Sequence, residues 1–149
     1  MSSSSVVLQG GCCCKKIRYT STTLPKSMSN CFCITCRKIS GAPYATFSRF
    51  PRSSITWLNE LPKYFRSSNF AKRGYCGDCG STLTYEMDER PDSISLCPGS
   101  FDDWDVKGEL MKPTDHIFLG EKAVWFDVPN DGLSRFTGDD EEPTEAKTS

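Results

Sequence analysis

Nine cysteines stand in this chain: Cys12, Cys13, Cys14, Cys31, Cys33, Cys36, Cys76, Cys79 and Cys97. Their spacing, more than their number, points to chemistry. They fall as C-C-C, C-x-C-x-x-C and C-x-x-C. Cysteines two or three residues apart are poorly placed to bridge one another but well placed to chelate a single ion through their thiolates. In Cys76-Gly77-Asp78-Cys79-Gly80 two thiolates flank a tight turn, and a glycine follows where backbone amides must approach sulfur. If the N-terminal triplet is extended, Cys12 and Cys14 project to one face and Cys13 to the other, so the outer two can share an ion. Cys31-Phe32-Cys33-Ile34-Thr35-Cys36 offers three sulfurs within six residues, a spacing that a strand end and its following turn can aim at one centre.

Seven well-spaced cysteines divide as four plus three. A closed set of four is a structural metal site, whereas three protein ligands leave a fourth position for water or substrate. An ion with an open position can hold an external thiol in its nucleophilic thiolate form. Arg37 and Lys38 directly follow the three-sulfur cluster, where they offset thiolate charge and can attract a carboxylate-bearing ligand. Spacing alone does not say which pairs join. It leaves Cys13, Cys97 and His116, the only histidine, as possible fourth ligands of the second site. Cys97 otherwise reads as a buried inert thiol and His116 as a hydrogen-bonded structural histidine.

The elements that must carry these clusters read as β. Residues 15–20, 44–50, 54–57, 74–75, 81–85, 93–96 and 123–126 alternate or concentrate β-branched and aromatic residues. Gly and Pro clusters such as Gly41-Ala42-Pro43, Cys97-Pro98-Gly99 and Pro129-Asn130-Asp131-Gly132 separate them. No segment sustains a helical period over three turns, and only residues 36–40 allow a short helical turn. A chain of 149 residues with this pattern is a single mainly β domain. Residues 1–7, a serine run, and the acidic, apolar-poor residues 137–149 are expected to be disordered flanks of a domain spanning 8–136.

Eighteen basic against nineteen acidic residues leave a net charge of −1, which argues against a nucleic-acid partner. No apolar run approaches the length of a membrane span. The N-terminus has no basic segment and only Val6-Val7-Leu8 as apolar stretch, so it does not read as a secretory signal. An odd count of clustered cysteines without such a signal fits a reducing compartment, the cytoplasm or nucleus.

Several of these motifs occur together in one family. Gly10-Gly11-Cys12-x-Cys14, Ile17-Arg18-Tyr19 and Cys31-x-Cys33-x-x-Cys36-Arg37-Lys38-x-Ser40-Gly41-Ala42-Pro43-Tyr44 resemble glutathione-dependent formaldehyde-activating enzymes and centromere protein V. So do Arg73-x-Tyr75-Cys76-x-x-Cys79-Gly80-Ser81-x-Leu83, Gly99-Ser100-Phe101-Asp102-Asp103 and His116-Ile117-Phe118 followed by Trp125-Phe126. The resemblance implies antiparallel sheets in a zinc-stapled, β-tent-like fold. It implies a structural zinc at Cys12, Cys14, Cys76 and Cys79, and a second, catalytic zinc at Cys31, Cys33 and Cys36. There glutathione would coordinate through its thiol, with Arg37 or Lys38 on a carboxylate.

The implied activity is carbon–sulfur lyase chemistry, joining glutathione and formaldehyde to S-(hydroxymethyl)glutathione or reversing it. Its partners are then a small thiol and an electrophile. The centromere branch suggests the alternative of a non-catalytic zinc module that binds a protein; the acidic tail and absence of a basic arm count against it. One departure stands out: Phe32 occupies a position where family members commonly carry histidine.

Overall fold

The structure, a computed structural model, describes residues 5–139. Its eleven strands are β1 (Leu8–Gly11), β2 (Arg18–Ser21), β3 (Ser27–Cys31), β4 (Ala45–Pro51), β5 (Ile55–Trp57), β6 (Lys63–Arg66), β7 (Ala71–Tyr75), β8 (Thr82–Met87), β9 (Ser93–Leu96), β10 (Asp115–Ile117) and β11 (Ser134–Arg135). One helix, α1 (Ile34–Ser40), follows β3. The fold is therefore mainly β, as expected, with antiparallel pairs and, where β10 meets β3 and β11, parallel ones. The described chain packs as two compact units, with the boundary between Phe47 and Ser48 falling inside β4.

The first unit holds the chain up to Lys26 and Ser48–Met111. In it β1, β2 and β5 form an antiparallel sheet, with Leu8 opposite Ser21 and Tyr19 opposite Trp57. Alternate residues of β1 and β2 (Leu8 and Gly10, Tyr19 and Ser21) turn inward, the period-2 burial of a one-faced sheet. The antiparallel run β4-β9-β8-β7-β6 builds the rest of this unit. Its core collects Phe50, Leu83, Ile94, Leu96 and Phe101, each almost fully buried. Gly10 is obligatory where β1 passes the Ser100 carbonyl: a Cβ there would lie 2.3 Å from that oxygen and 2.5 Å from the Tyr19 hydroxyl.

The second unit holds Ser27–Phe47 and the chain from Lys112 on. Here β10 pairs in parallel with both β3 and β11, with His116 opposite Asn30 and Arg135. Only Phe32 and Cys33 separate β3 from α1, which ends on Gly41 in a left-handed conformation (φ 66) that glycine takes without strain.

Residues 123–126, expected as a strand, form a turn. The Phe126 amide bonds the Ala123 carbonyl, and the Lys122 ammonium binds the carbonyls of both residues, so these backbone groups are satisfied locally instead of in a ladder. Residues 15–17, expected to begin a strand, belong to the loop before β2. Of the expected disordered flanks, residues 1–4 and 140–149 lie outside the described residues. Val7 donates to the Ser21 carbonyl, while the Thr137 and Gly138 carbonyls accept from Gly120 and Phe118.

Candidate metal centre

Two hairpin loops assemble the first sulfur cluster. Cys12 and Cys14 lie in the loop joining β1 to β2, and Cys76 and Cys79 in the loop joining β7 to β8. The first loop is not extended as expected. Lys15 N–H donates to the Cys12 carbonyl (3.1 Å) and Cys12 N–H to the Ile17 carbonyl (3.0 Å), so a turn brings the two sulfurs together, not strand alternation. Cys13 points elsewhere: it is exposed, and its amide donates to Ser81 Oγ (2.9 Å). In the second loop Gly80 N–H reaches the Cys76 carbonyl (2.8 Å) with Gly80 at φ 77, the tight knuckle its sequence suggests.

The sulfurs of Cys12, Cys14, Cys76 and Cys79 all lie within 4.8 Å of one another. The Cys12–Cys14 and Cys14–Cys76 separations are 3.5 and 3.7 Å. Four thiolates around a tetrahedral zinc with bonds near 2.3 Å stand about 3.8 Å apart, so the spacing fits that ion. Cys12 and Cys76 are buried against Ile17 and Leu83, with Trp57 packed on the same cluster. Ile17 N–H donates to Cys12 Sγ (3.2 Å), and Ser81 Oγ stands 3.1 Å from Cys79 Sγ. The Ser81 hydroxyl, helped by the Ser81 and Cys14 amides, holds the Cys79 thiol down to about 5. Cys14 has the Lys16 amide pulling it down, yet the crowding sulfur of Cys12, burial and the other two cysteines push it up to about 12. Four crowded soft donors of this kind suit a thiophilic metal.

The second cluster sits where β3 becomes α1. Cys31 ends the strand, Cys33 caps the helix, and Cys36 is in its first turn. Their sulfurs lie within 4.8 Å of one another. Cys33 Sγ accepts the Cys36 amide at 3.3 Å, the bond that starts the helix. Cys36 and Cys31 are 1% and 6% exposed. The neighbouring sulfurs of Cys33 and Cys36, then burial, push the Cys31 thiol strongly up. Three crowded soft donors suit a thiophilic metal.

Phe32, between two of these cysteines, is fully buried. Its ring lies 4.9 Å from Tyr44, 5.4 Å from His116 and 6.2 Å from Phe126. It thus turns away from the sulfurs into an aromatic cage. His116 is also buried, with Nε2 2.7 Å from Asp131 Oδ2 and Nδ1 3.4 Å from Asn30 Nδ2. Among the described residues His116, Cys13 and Cys97 fall outside both sulfur groups. Arg37 Nη1 donates to the Glu121 carbonyl (2.9 Å), and Glu121 Oε1 accepts the Ile34 amide (3.0 Å), which straps residues 119–121 to the start of α1. Lys38 is exposed on the same helix.

The sequence profile of the glutathione-dependent formaldehyde-activating enzymes matches residues 7–121, a span that contains every cysteine of both clusters. The chain belongs to the glutathione-dependent formaldehyde-activating enzyme family. A Schizosaccharomyces pombe protein (strain 972) named as an uncharacterized lyase is 30% identical to it over 135 residues, covering 89% of this chain and 92% of that protein. A crystal structure of a Rhodobacter sphaeroides protein shares the fold, with a TM-score of 0.54 at 18% identity over 68% of this chain and 96% of that one. Within the family frame, Phe126 and Asp131 lie beyond the matched span, although they pack on residues inside it. No helix among the described residues is long and apolar enough to cross a membrane.

Proposed function

We propose that this family member is a carbon–sulfur lyase that activates a small thiol, glutathione by family resemblance, at Cys31, Cys33 and Cys36. The thiol adds to, or leaves from, an electrophilic carbon such as that of formaldehyde. One observation carries this: the cluster joins three sulfurs and, among the described residues, no fourth metal-ligating side chain. A zinc ion there would supply Lewis acidity that keeps an incoming thiol deprotonated at neutral pH.

The chain's own residues hold the site. The Cys36 amide fixes the Cys33 sulfur, and the Phe32 cage sets the strand end that presents Cys31 and Cys33. Lys38 and the N–H groups of Arg37 not engaged by Glu121 are the cations for a thiol substrate's carboxylate. In the forward direction sulfur forms a bond to carbon, the carbonyl π pair moves to oxygen, and oxygen takes up the proton the thiol has released. Cys12, Cys14, Cys76 and Cys79 would hold a second zinc that joins the two hairpin loops. The grouping of seven cysteines into two sets of metal-ligand type supports a reducing compartment such as the cytoplasm.

The test is Cys33→Ser with zinc counted by native mass spectrometry. Turnover of glutathione and formaldehyde to the adduct, followed by carbon-13 NMR, should vanish while one zinc per chain and the thermal transition remain. Turnover at the wild-type rate would overturn the assignment.

A further inference from the structure

A cavity of about 710 Å³ lies in the unit that carries Cys12, Cys14, Cys76 and Cys79. Its walls are the β1–β2 loop, residues Ser81 and Thr82, and the segment from Gly99 to Trp104. The volume falls within the range of sites that take drug-sized molecules, roughly 300–1,000 Å³. None of the residues given a role in the lyase chemistry lines it.

Three features of the walls specify a ligand. Lys15 holds a left-handed backbone (φ 69), a conformation that glycine adopts at less cost. Its ammonium makes no ion pair among the described residues. Arg18, by contrast, is matched by Asp102 through bonds of 2.5 and 3.4 Å, so Lys15 is the cation of this wall without a carboxylate partner among the described residues. Trp104 is 81% exposed, yet its short 3-10 turn (Asp103–Asp105) is braced at both ends. Asp102 N–H donates to the Gln9 carbonyl (2.8 Å), and Gln9 Nε2 donates to Asp105 Oδ2 (3.0 Å). An exposed indole carried on a braced turn offers a flat surface for stacking. Asp103 and Asp105 flank the indole and repel an anionic group from that end, leaving it to Lys15.

We propose that this cavity binds a small organic anion whose carboxylate meets Lys15 and whose flat apolar ring lies on Trp104.

The experiment titrates nitrogen-15-labelled, zinc-loaded protein with 2-naphthoate as probe. Saturable shifts should appear at the amides of Gly99 and Ser100 and at the Trp104 indole N–H. Lys15→Gly suits the left-handed backbone and should weaken binding about tenfold. Gly99 is exposed and a Cβ there meets nothing within 4 Å, so Gly99→Phe fills open space at the wall without disturbing packing and should abolish binding. Neutral 2-naphthylmethanol and cationic 2-naphthylmethylammonium should bind at least tenfold more weakly than the acid. Absence of saturable shifts at these positions would overturn the proposal. So would equal binding of the neutral or cationic probe, or unchanged binding by the folded Gly99→Phe variant.

Discussion

Replacing Phe32 by alanine tests whether the aromatic cage positions the three-sulfur cluster. The ring is fully buried and touches three aromatic partners at 4.9, 5.4 and 6.2 Å. Removing a buried phenyl ring costs about 3–5 kcal/mol, through lost transfer energy and the cavity left behind. The upper part of that range applies here, because Tyr44 and Phe126 also brace each other (6.2 Å) and resist collapse into the void. For a chain of this size each kcal/mol is worth roughly 2–4 °C, so a cost of about 4–5 kcal/mol should lower the melting temperature by about 8–20 °C. Phe32→Leu keeps most of the volume and should cost less than about 1.5 kcal/mol. The assay is thermal unfolding by circular dichroism, run beside zinc transfer to a chromophoric chelator. The alanine variant should release one zinc per chain much faster than the other, since only Cys31 and Cys33 adjoin the lost ring. A fall below about 3 °C, or equal acceleration of both zinc ions, would refute the reasoning.

Cys79→Ser should cost much of the domain's stability, since a structural zinc contributes on the order of 10 kcal/mol to folding; an unchanged melt in urea or heat would remove that site from the fold. Asp131 is held below the usual carboxylate range by its bond to His116, a contribution present above the unfolded-state value near 3.9 and lost as pH falls through the lower folded-state value. The stability gap between wild type and Asp131→Asn, measured in urea, should therefore be constant from pH 6 to about 4.5 and close progressively below it. Gly10→Ala, which drives a methyl against the Ser100 carbonyl, should destabilise by about 1–3 kcal/mol in the same titration, against a few tenths for an unstrained exposed change.

Much of the sulfur clustering is legible because it rests on short spacings. The knuckle at Cys76–Gly80 and the strand-to-helix placement of Cys31, Cys33 and Cys36 follow from local geometry that a handful of residues dictates. The Cys12–Cys14 pairing was legible for a different reason from the one that operates, since a turn does what alternation was expected to do. Strands β2, β4, β5, β8 and β9 carry enough alternation or β-branching to be read directly. Others leave no such trace. β3 (Ser-Met-Ser-Asn-Cys) and β10 (Asp-His-Ile) are strands because distant segments pair with them, and β6 is exposed along its whole length. Ala123 to Phe126 read as a strand from their aromatic content, yet Lys122 holds the carbonyls of Ala123 and Phe126 in a turn. Glu121 and Asp131 could not be found at all: each acts on a partner 15 or more residues away in sequence, and nothing local marks it.

The two sulfur sets also differ in when a growing chain can complete them. Cys14 must wait for Cys76, 62 residues later, an interval of roughly 3–12 s at about 5–20 residues per second. Cys31, Cys33 and Cys36 emerge together, yet β3 pairs with β10 and Phe32 packs on His116 and Phe126, so the frame around them is whole only once residue 126 is out. Completion thereby reverses what the spacing suggests: the set drawn from two distant hairpin loops closes first, and the set spelled within six residues is framed last.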